Sequence, residues 1–324
     1  MIKTTVRRII IFIPQLILLS IMTFILAEIM PGDAINNQIA AMDGLTPEQL
    51  TAMREAAGLY NPWYVNYWQW IVGIVTRGDL GRSSVNNLPV TMLIAERAVN
   101  TLRLSFVSTI ITMGISIPLG IIAAKRVGKW PDKLILNFGF VTQAMPTLAM
   151  SIIAIWIFAL ILGWFPMSGS VDVLTNPNDT WAVFLSRTHH IILPALVTGI
   201  LGNFGMIFML RAVILDNSSS AFVTTAKSKG VPSSVIYSKH ILRNSLLPFA
   251  GTFPALVLGL LTGSVFVERL FSYPGMGDLF ISSIMARDFP VVTALVMLYG
   301  LISLTSILLT DIVMTIIDPR IRIK

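Results

Sequence analysis

The 324-residue chain contains no cysteine, and only 12% of its residues are charged. The first absence excludes disulfides, thiolate nucleophiles and cysteine-based metal sites. The second separates it from soluble domains, whose charged fraction is about twice as high. Histidine is scarce, with His189, His190 and His240 the full set of three. All three lie between the apolar blocks, so Gly114-Ile115-Ser116-Ile117-Pro118, which has the look of a membrane serine nucleophile, lacks a base within a span. No carboxylate pair stands at metal-ligand spacing, and the adjacent His189 and His190 have no third ligand near them in sequence. There is no glycine-rich phosphate loop with its lysine, which excludes nucleotide hydrolysis by these residues. Internal repeats and low-complexity tracts are missing as well. A self-sufficient gradient-driven transporter commonly shows two related halves and interrupted helices around charged midplane sites, and the sequence displays neither.

What fills the chain is hydrophobic residues, 55% of the total, with a mean hydropathy of +0.78. They come in uninterrupted blocks rather than at amphipathic spacing. A helix needs about 20 apolar residues to cross the hydrocarbon. Six blocks meet that test: Ile9–Ala27, Leu104–Ala124, Leu134–Ser170, Ile191–Leu210, Asn244–Val267 and Phe289–Thr310. The expected fold class is therefore an all-α integral membrane protein with six transmembrane helices. The third block is too long for one span, and Trp164, Phe165 and Pro166 are expected to mark its exit. The opening MIKTTVRRIIIFIPQLILL begins like a signal peptide, but its apolar run is longer and no small-residue cleavage site follows, so it reads as a retained first span.

A net charge of +7 with pI near 9.9 invites a nucleic-acid reading, yet the basic residues form no single patch. They sit at the ends of the apolar blocks, where they orient a membrane protein. Lys3, Arg7 and Arg8; Lys125, Arg126, Lys129 and Lys133; Arg211, Lys227, Lys229, Lys239 and Arg243; and Arg320, Arg322 and Lys324 fall on one side, fifteen of the 23 basic residues. Eight basic residues and twelve acids fall on the other. The positive-inside rule makes the first side cytoplasmic, with both termini. The expected organisation is a cytoplasmic N-terminus and first helix over 1–30, and an extracytoplasmic segment over 31–103. A membrane core over 104–316 follows, with a cytoplasmic loop at 216–245 and a tail at 317–324.

In the outer segment, Thr46 caps a helix with Pro47 at its first position, Gln49 at the capping-box position and Gly58 at its end. Tyr60–Val75 is short and aromatic-rich, with Trp63, Tyr64, Tyr67, Trp68 and Trp70, and reads as an interfacial helix. Counting it as a span would invert every later loop against the charge rule. Glu28 and Asp311 lie at opposite ends of the first and last spans, the former a functional candidate and the latter a snorkelling acid.

The cytoplasmic stretch Ala221–Pro248 is a basic island between long apolar blocks. It reads as two short helices with a break. Ser218–Ser220 cap the first, Gly230 ends it, Pro232 forbids continuation, and Ser233 or Ser234 caps the second. Its apolar face is offered either to lipid headgroups or to another protein. Within the spans, Gly259, Thr262, Gly263 and Ser264 suit helix packing or a pathway-lining face. Gln143, next to Met145 and Pro146, needs a polar partner or a wet cavity.

The order of these features resembles the B-type inner-membrane permease subunits of dipeptide and oligopeptide ABC importers, nearly end to end. The resemblance rests on Arg7-Arg8, Pro31-Gly32-Asp33, Leu59-Tyr60-Asn61-Pro62 and Arg77-Gly78-Asp79-Leu80-Gly81-Arg82-Ser83 in the first third. It continues in Thr225-Ala226-Lys227-Ser228-Lys229-Gly230 and Arg243-Asn244-Ser245-Leu246-Leu247-Pro248. Towards the end come Gly263-Ser264-Val265-Phe266-Val267-Glu268, Tyr273-Pro274-Gly275-Met276-Gly277, Ala286-Arg287-Asp288-Phe289-Pro290-Val291-Val292 and Asp318-Pro319-Arg320-Ile321-Arg322. One departure is that Thr224, Thr225 and Ala226 stand where the general import-permease loop has Glu-Ala-Ala, as is common in the peptide branch.

The resemblance implies a type I permease half that translocates peptides in the cytoplasmic membrane of a bacterium or archaeon. Its implied partners are a homologous second permease, one or two cytoplasmic ATPase subunits, an extracytoplasmic substrate-binding protein and membrane lipid, with no nucleic acid. ATP and magnesium would be bound by the ATPases, leaving no cofactor, metal or catalytic residue here. Phe222, Thr225, Ala226, Gly230, Val231 and Ser234 become the ATPase-coupling residues, and Gln143, Gly259, Thr262, Gly263 and Ser264 the candidate substrate pathway. Similar machinery imports oligosaccharides or a nickel chelate, and a secondary transporter is the alternative of another class.

Overall fold

The computed structural model describes residues 2–29, 46–56, 60–201, 204–246, 258–259 and 262–317. Among them the regular elements are helices, with one isolated antiparallel bridge between Arg82 and Pro89. The expected features at Pro31–Asp33, Gly58, Leu247–Pro248 and Asp318–Arg322 fall outside the described residues, as do the side chains of Glu28 and Asp311.

The chain opens with α1 (Ile2–Ile29), α2 (Pro47–Ala56) and α3 (Trp63–Arg77). The capping box at α2 is in place: the Thr46 amide donates to Gln49 Oε1 at 3.0 Å and the Gln49 amide to Thr46 Oγ1 at 3.3 Å. The next helix, α4 (Val90–Lys125), runs for 36 residues. It starts well before the expected boundary at Leu104, because Glu96, Arg97 and Arg103 interrupt the apolar pattern without interrupting the helix. At 1.5 Å per residue it is about 54 Å long, against about 30 Å of hydrocarbon.

Along α4 a buried stripe of mostly small residues, Thr101, Leu104, Ser108, Thr112, Ser116, Gly120 and Ala124, recurs every three or four positions. Small side chains let other backbones come close. A Cβ at Gly199 would sit 2.8 Å from the Ser108 carbonyl oxygen, and Thr112 donates to the Gly199 carbonyl at 3.0 Å.

The third apolar block is not one rod ending at Trp164. It splits into α5 (Trp130–Ala144) and α6 (Thr147–Ala154), which continues through wide π turns at Ile155–Ile161, with a 104° bend between the halves. Pro146 has no amide to donate and pushes Met145 into the extended region, φ −92° and ψ 132°. The fifth block, mostly outside the described residues, also departs from helix near its end. Gly263 has φ +59°, and Ser264 is extended. Interrupted helices, not expected from the sequence, are thus a feature of this fold.

The remaining elements are α7 (Thr180–Leu196) with π turns at Val197–Leu201, α8 (Phe204–Ser218), α9 (Ala221–Ser228) and α10 (Ser233–Val235), which passes into π turns at Ile236–Leu242. Then come α11 (Val265–Leu270), α12 (Met276–Met285) and α13 (Phe289–Ile317). By length and composition, Val90–Lys125, Thr180–Ile200 and Phe289–Thr310 can each cross a membrane among the described residues. Counting each bent pair as one span raises the number to five, and Ile10–Leu26 of α1 adds a shorter apolar helix.

Four apolar clusters line α4, one of them joining Ala123 to Ile135, Phe204 and Ile207. Val90 and Ile94 pack with Met276, Leu279, Val291 and Leu295 near its start. Leu104 joins Ile191, Leu193, Val267, Phe271 and Tyr273. Ala124, at its end, packs with Leu210, Ile214, Val223, Ile236 and Ile241. α4 therefore holds both the hairpin of α11 and α12 and the 221–242 elbow.

Candidate functional site: the elbow and the Glu268 cradle

The elbow's break follows from one glycine. Gly230 has φ +73°, and its amide donates to the Lys227 carbonyl at 2.9 Å while the Val231 amide donates to the Ala226 carbonyl at 3.2 Å. This pair of bonds is a Schellman ending, which satisfies carbonyls that the last helical turn leaves free. The expected caps are different in detail. Ser220 holds the N-cap position of α9 without a side-chain cap bond, and its hydroxyl donates to the Asp216 carbonyl at 3.3 Å. Pro232, not Ser233 or Ser234, precedes α10, because its fixed φ of −59° sets up the first turn.

The apolar face of the elbow is covered by the chain itself rather than offered outward. Val223, Ile236 and Ile241 are buried against α4 and α8, with Phe222, Ala226 and Val231 half-buried beside them. Each fully buried aliphatic side chain contributes about 2 kcal/mol. What the elbow exposes is mostly polar: Thr225, Lys227, Lys229, Gly230 and Ser234, with Val235 the large apolar exception. The Asn217 amide donates to Ser245 Oγ at 2.9 Å, and Lys125 stands 4.5 Å over the Tyr237 ring.

Beside the elbow lies a pair that sequence reasoning missed. Arg211 of α8 grips Asp132 of α5 with both prongs, Nε to Oδ1 at 2.7 Å and Nη2 to Oδ2 at 2.9 Å. The Gly128 amide adds 2.8 Å to Oδ2. Asp132 is 1% exposed, and the hydrogen bond from Arg211 holds its carboxyl below the usual carboxylate range. The available signal was a lone acid among Lys125, Arg126, Lys129 and Lys133.

At the other end of α4, Glu268 is fully buried. Its Oε1 accepts the Thr101 hydroxyl at 2.9 Å, and its Oε2 accepts the amides of Gly277 at 2.7 Å and Asp278 at 3.4 Å. Side chains at Gly263 or Gly275 would collide with Glu268 and Thr101, and one at Gly277 would collide with the Val265 backbone and crowd Glu268 at 3.0 Å, so the glycines of the two motifs wall its cradle. Burial, outweighing these bonds, pushes the carboxyl up to about 7. Asp278, next along, pairs with Arg269 at 3.0 Å and Arg97 at 3.4 Å.

A second carboxylate ties in the segment before α4. Asp288 accepts the Ser83 hydroxyl, the Ser84 amide at 2.9 Å and the Ser84 hydroxyl at 3.1 Å. Two separate motifs of the sequence thereby meet at one side chain.

The candidate pathway residues fall in two places. Gln143 is exposed in the last turn of α5, at the bend and near Gly205 of α8. Gly259 is exposed, and the Thr262 hydroxyl donates to its carbonyl at 2.9 Å. Gly263 and Ser264 are half-buried at the edge of the Glu268 cradle. Two of the histidines bond backbone carbonyls: His189 Nε2 lies 2.8 Å from that of Trp164, and His190 Nδ1 lies 2.8 Å from that of Ser186. Their rings are nearly perpendicular, 82°, beside an open cavity of about 750 Å³.

Comparison with known proteins adds an independent observation. Residues 116–323 match the family described as binding-protein-dependent transport system inner membrane component, and residues 1–110 match that family's N-terminal model. The oligopeptide transport system permease protein AppB of Bacillus subtilis (strain 168) is 35% identical over 318 residues, 98% of each chain. The glutathione transport system permease protein GsiC of Escherichia coli (strain K12) is 32% identical over 325 residues, 100% of each. A chain of the inward-facing MetNI methionine ABC transporter superposes with a TM-score of 0.48 at 16% identity, covering 69% of this chain and 97% of that one.

Proposed function

The chain belongs to the family of binding-protein-dependent transport system inner-membrane components, and from that premise we propose that it is one translocation half of an ATP-driven peptide importer. It is a transport component rather than an enzyme. The observation that carries the cargo class is the end-to-end similarity to AppB, an oligopeptide permease by name, together with that to GsiC, whose glutathione is itself a peptide. Six helices cross the membrane, the 31–103 segment lies outside and the elbow inside, in keeping with the charge asymmetry. A homologous second permease completes the pathway, an external binding protein delivers cargo, and one or two ATPase subunits bind ATP and magnesium.

In this reading the elbow's exposed polar face, with Thr225, Gly230 and Ser234, meets the ATPase, while Phe222, Ala226 and Val231 seat the elbow on the bundle. Closure of the ATPases on nucleotide displaces the elbow as a unit. Its buried residues are packed on α4 and α8, so those two helices receive the motion first. Gln143, Gly259, Thr262, Gly263 and Ser264 lie along the route proposed for cargo.

Reconstitution decides the matter. The purified assembly in liposomes takes up a labelled peptide only with ATP inside the reach of the ATPases, and the chain alone neither hydrolyses ATP nor accumulates peptide. Uptake by the isolated chain under a proton or sodium gradient would replace this reading with a secondary transporter.

A further inference from the structure

The residues of α3 are split into two aromatic faces with different occupants. One face is spoken for: the Tyr67 hydroxyl lies 2.8 Å from Ser20 Oγ of α1, and the Phe24 ring meets Tyr67 at 5.6 Å and Trp70 at 5.8 Å. On the opposite side Tyr64, Trp68, Val72 and Val75 follow one another at helical spacing, each exposed, with Trp68 at 67% and Val75 at 78%. No charged residue occurs between Glu55 and Arg77.

The contacts with α1 fix the depth. Counting back from Ala27, the end of the first apolar block, Ser20 lies about 10 Å and Phe24 about 5 Å along the helix axis. A helix held at those levels of a spanning segment lies within the bilayer's outer boundary layer, the depth to which interfacial helices sink, about 5–10 Å. Tyr and Trp favour that layer, because an apolar ring and a polar tip suit its gradient. On α1 itself Leu18, Met22 and Leu26 are exposed apolar residues as well. The Ser20–Tyr67 bond gives two hydroxyls a partner where water is scarce.

We propose that α3 is an outer-leaflet anchor: Tyr64, Trp68, Val72 and Val75 lie against lipid at the level of the glycerol and upper acyl chains, and Tyr67 and Trp70 clamp the outer half of α1. The partner is the lipid surface itself. The exposed stripe itself carries no cation, Arg77 standing only at the end of the helix, so the contact is made by apolar and aromatic side chains rather than with anionic headgroups. The anchor fixes the segment leading to α4 at one end, and Ser83 and Ser84 on Asp288 fix it at the other. It rests on α1 crossing the membrane.

The cysteine-free chain allows a direct test in the assembled transporter, reconstituted in phosphatidylcholine vesicles with and without phosphatidylglycerol. Trp68→Cys and Val72→Cys are spin-labelled, with Leu18→Cys as the lipid reference and Asn176→Cys as the aqueous one. The expected result is a collision rate with oxygen severalfold above that with a water-soluble nickel chelate at 68 and 72, as at 18, in both vesicle types. Nickel contact at 68 and 72 but oxygen at 18 would overturn the anchor alone. Nickel contact at 18 would remove the span of α1 and the anchor with it. Low collision with both reagents at 68 and 72 would mean that a protein covers the stripe, and dependence on phosphatidylglycerol would mean a headgroup contact; either overturns the proposal.

Discussion

Thr101 and Glu268 are joined by a 2.9 Å hydrogen bond across 167 positions of sequence, and the same hydroxyl accepts the Met276 amide at 2.8 Å. One side chain of α4 thereby holds both the buried acid of α11 and the first turn of α12. The hairpin of α11 and α12 cannot leave α4 without taking a hydrogen bond from the Glu268 carboxylate and orphaning the Met276 amide.

Removing that acid should be costly, and its charge should show in the pH profile. Glu268→Ala leaves the Gly277 amide without its acceptor and is expected to destabilise the assembly by about 3 kcal/mol. The carboxyl of Glu268, moved by burial from 4.5 to about 7, holds its proton more tightly folded than unfolded. Its contribution is therefore fully present below about 4.5 and is lost as pH rises through about 7. In thermal melts between pH 5 and pH 8, wild type should fall progressively behind Glu268→Gln. Parallel curves would show that the acid is not titrating.

The elbow's hinge depends on a backbone conformation that only glycine adopts cheaply. Gly230→Val should cost about 1–2 kcal/mol locally, and more through its β-branch. Insertion and assembly should persist while peptide-stimulated ATP hydrolysis and uptake fall together, with Gly230→Asn milder. Normal coupled turnover in Gly230→Val would exclude the break from energy coupling.

The Asp132–Arg211 pair should behave as a buried ion pair does. Arg211→Met leaves Asp132 charged and unpaired, at a cost of about 3 kcal/mol, whereas Asp132→Leu with Arg211→Met should recover much of it. The Asp132 carboxyl is held low, so its stabilisation exists above the ordinary carboxylate range and disappears as pH falls through the folded value. Melting the single and double variants from pH 3 to pH 7 checks both statements. Strictly additive losses would refute the coupling.

Orientation can be read with single cysteines, since none is native. Asn176 and Ser233 are both exposed in the fold. An impermeant thiol reagent should label Asn176→Cys in intact cells and reach Ser233→Cys only after permeabilisation. The reverse pattern would invert the topology.

Much of this protein follows from its sequence because the bilayer and the backbone impose local rules. Charge-free blocks must be helical, since buried amides in lipid need internal partners, and basic residues at block ends predict an orientation. Thr46 with Gln49, and Gly230 before Pro232, are legible because caps and left-handed turns involve near neighbours. A proline weakens a helix wherever it stands, but the 104° turn at Pro146 depends on what α5 and α6 pack against. Three features were settled only by tertiary structure: that the elbow's apolar face closes on α4 and α8, that Glu268 meets Thr101, and that Asp132 meets Arg211. Each is a contact between residues far apart in the chain, and charge or hydrophobicity at one position does not name the partner at another. The glycines at 263, 275 and 277 show the division most plainly. The sequence displays them as turn residues, but only the fold reveals the carboxylate for which they leave room.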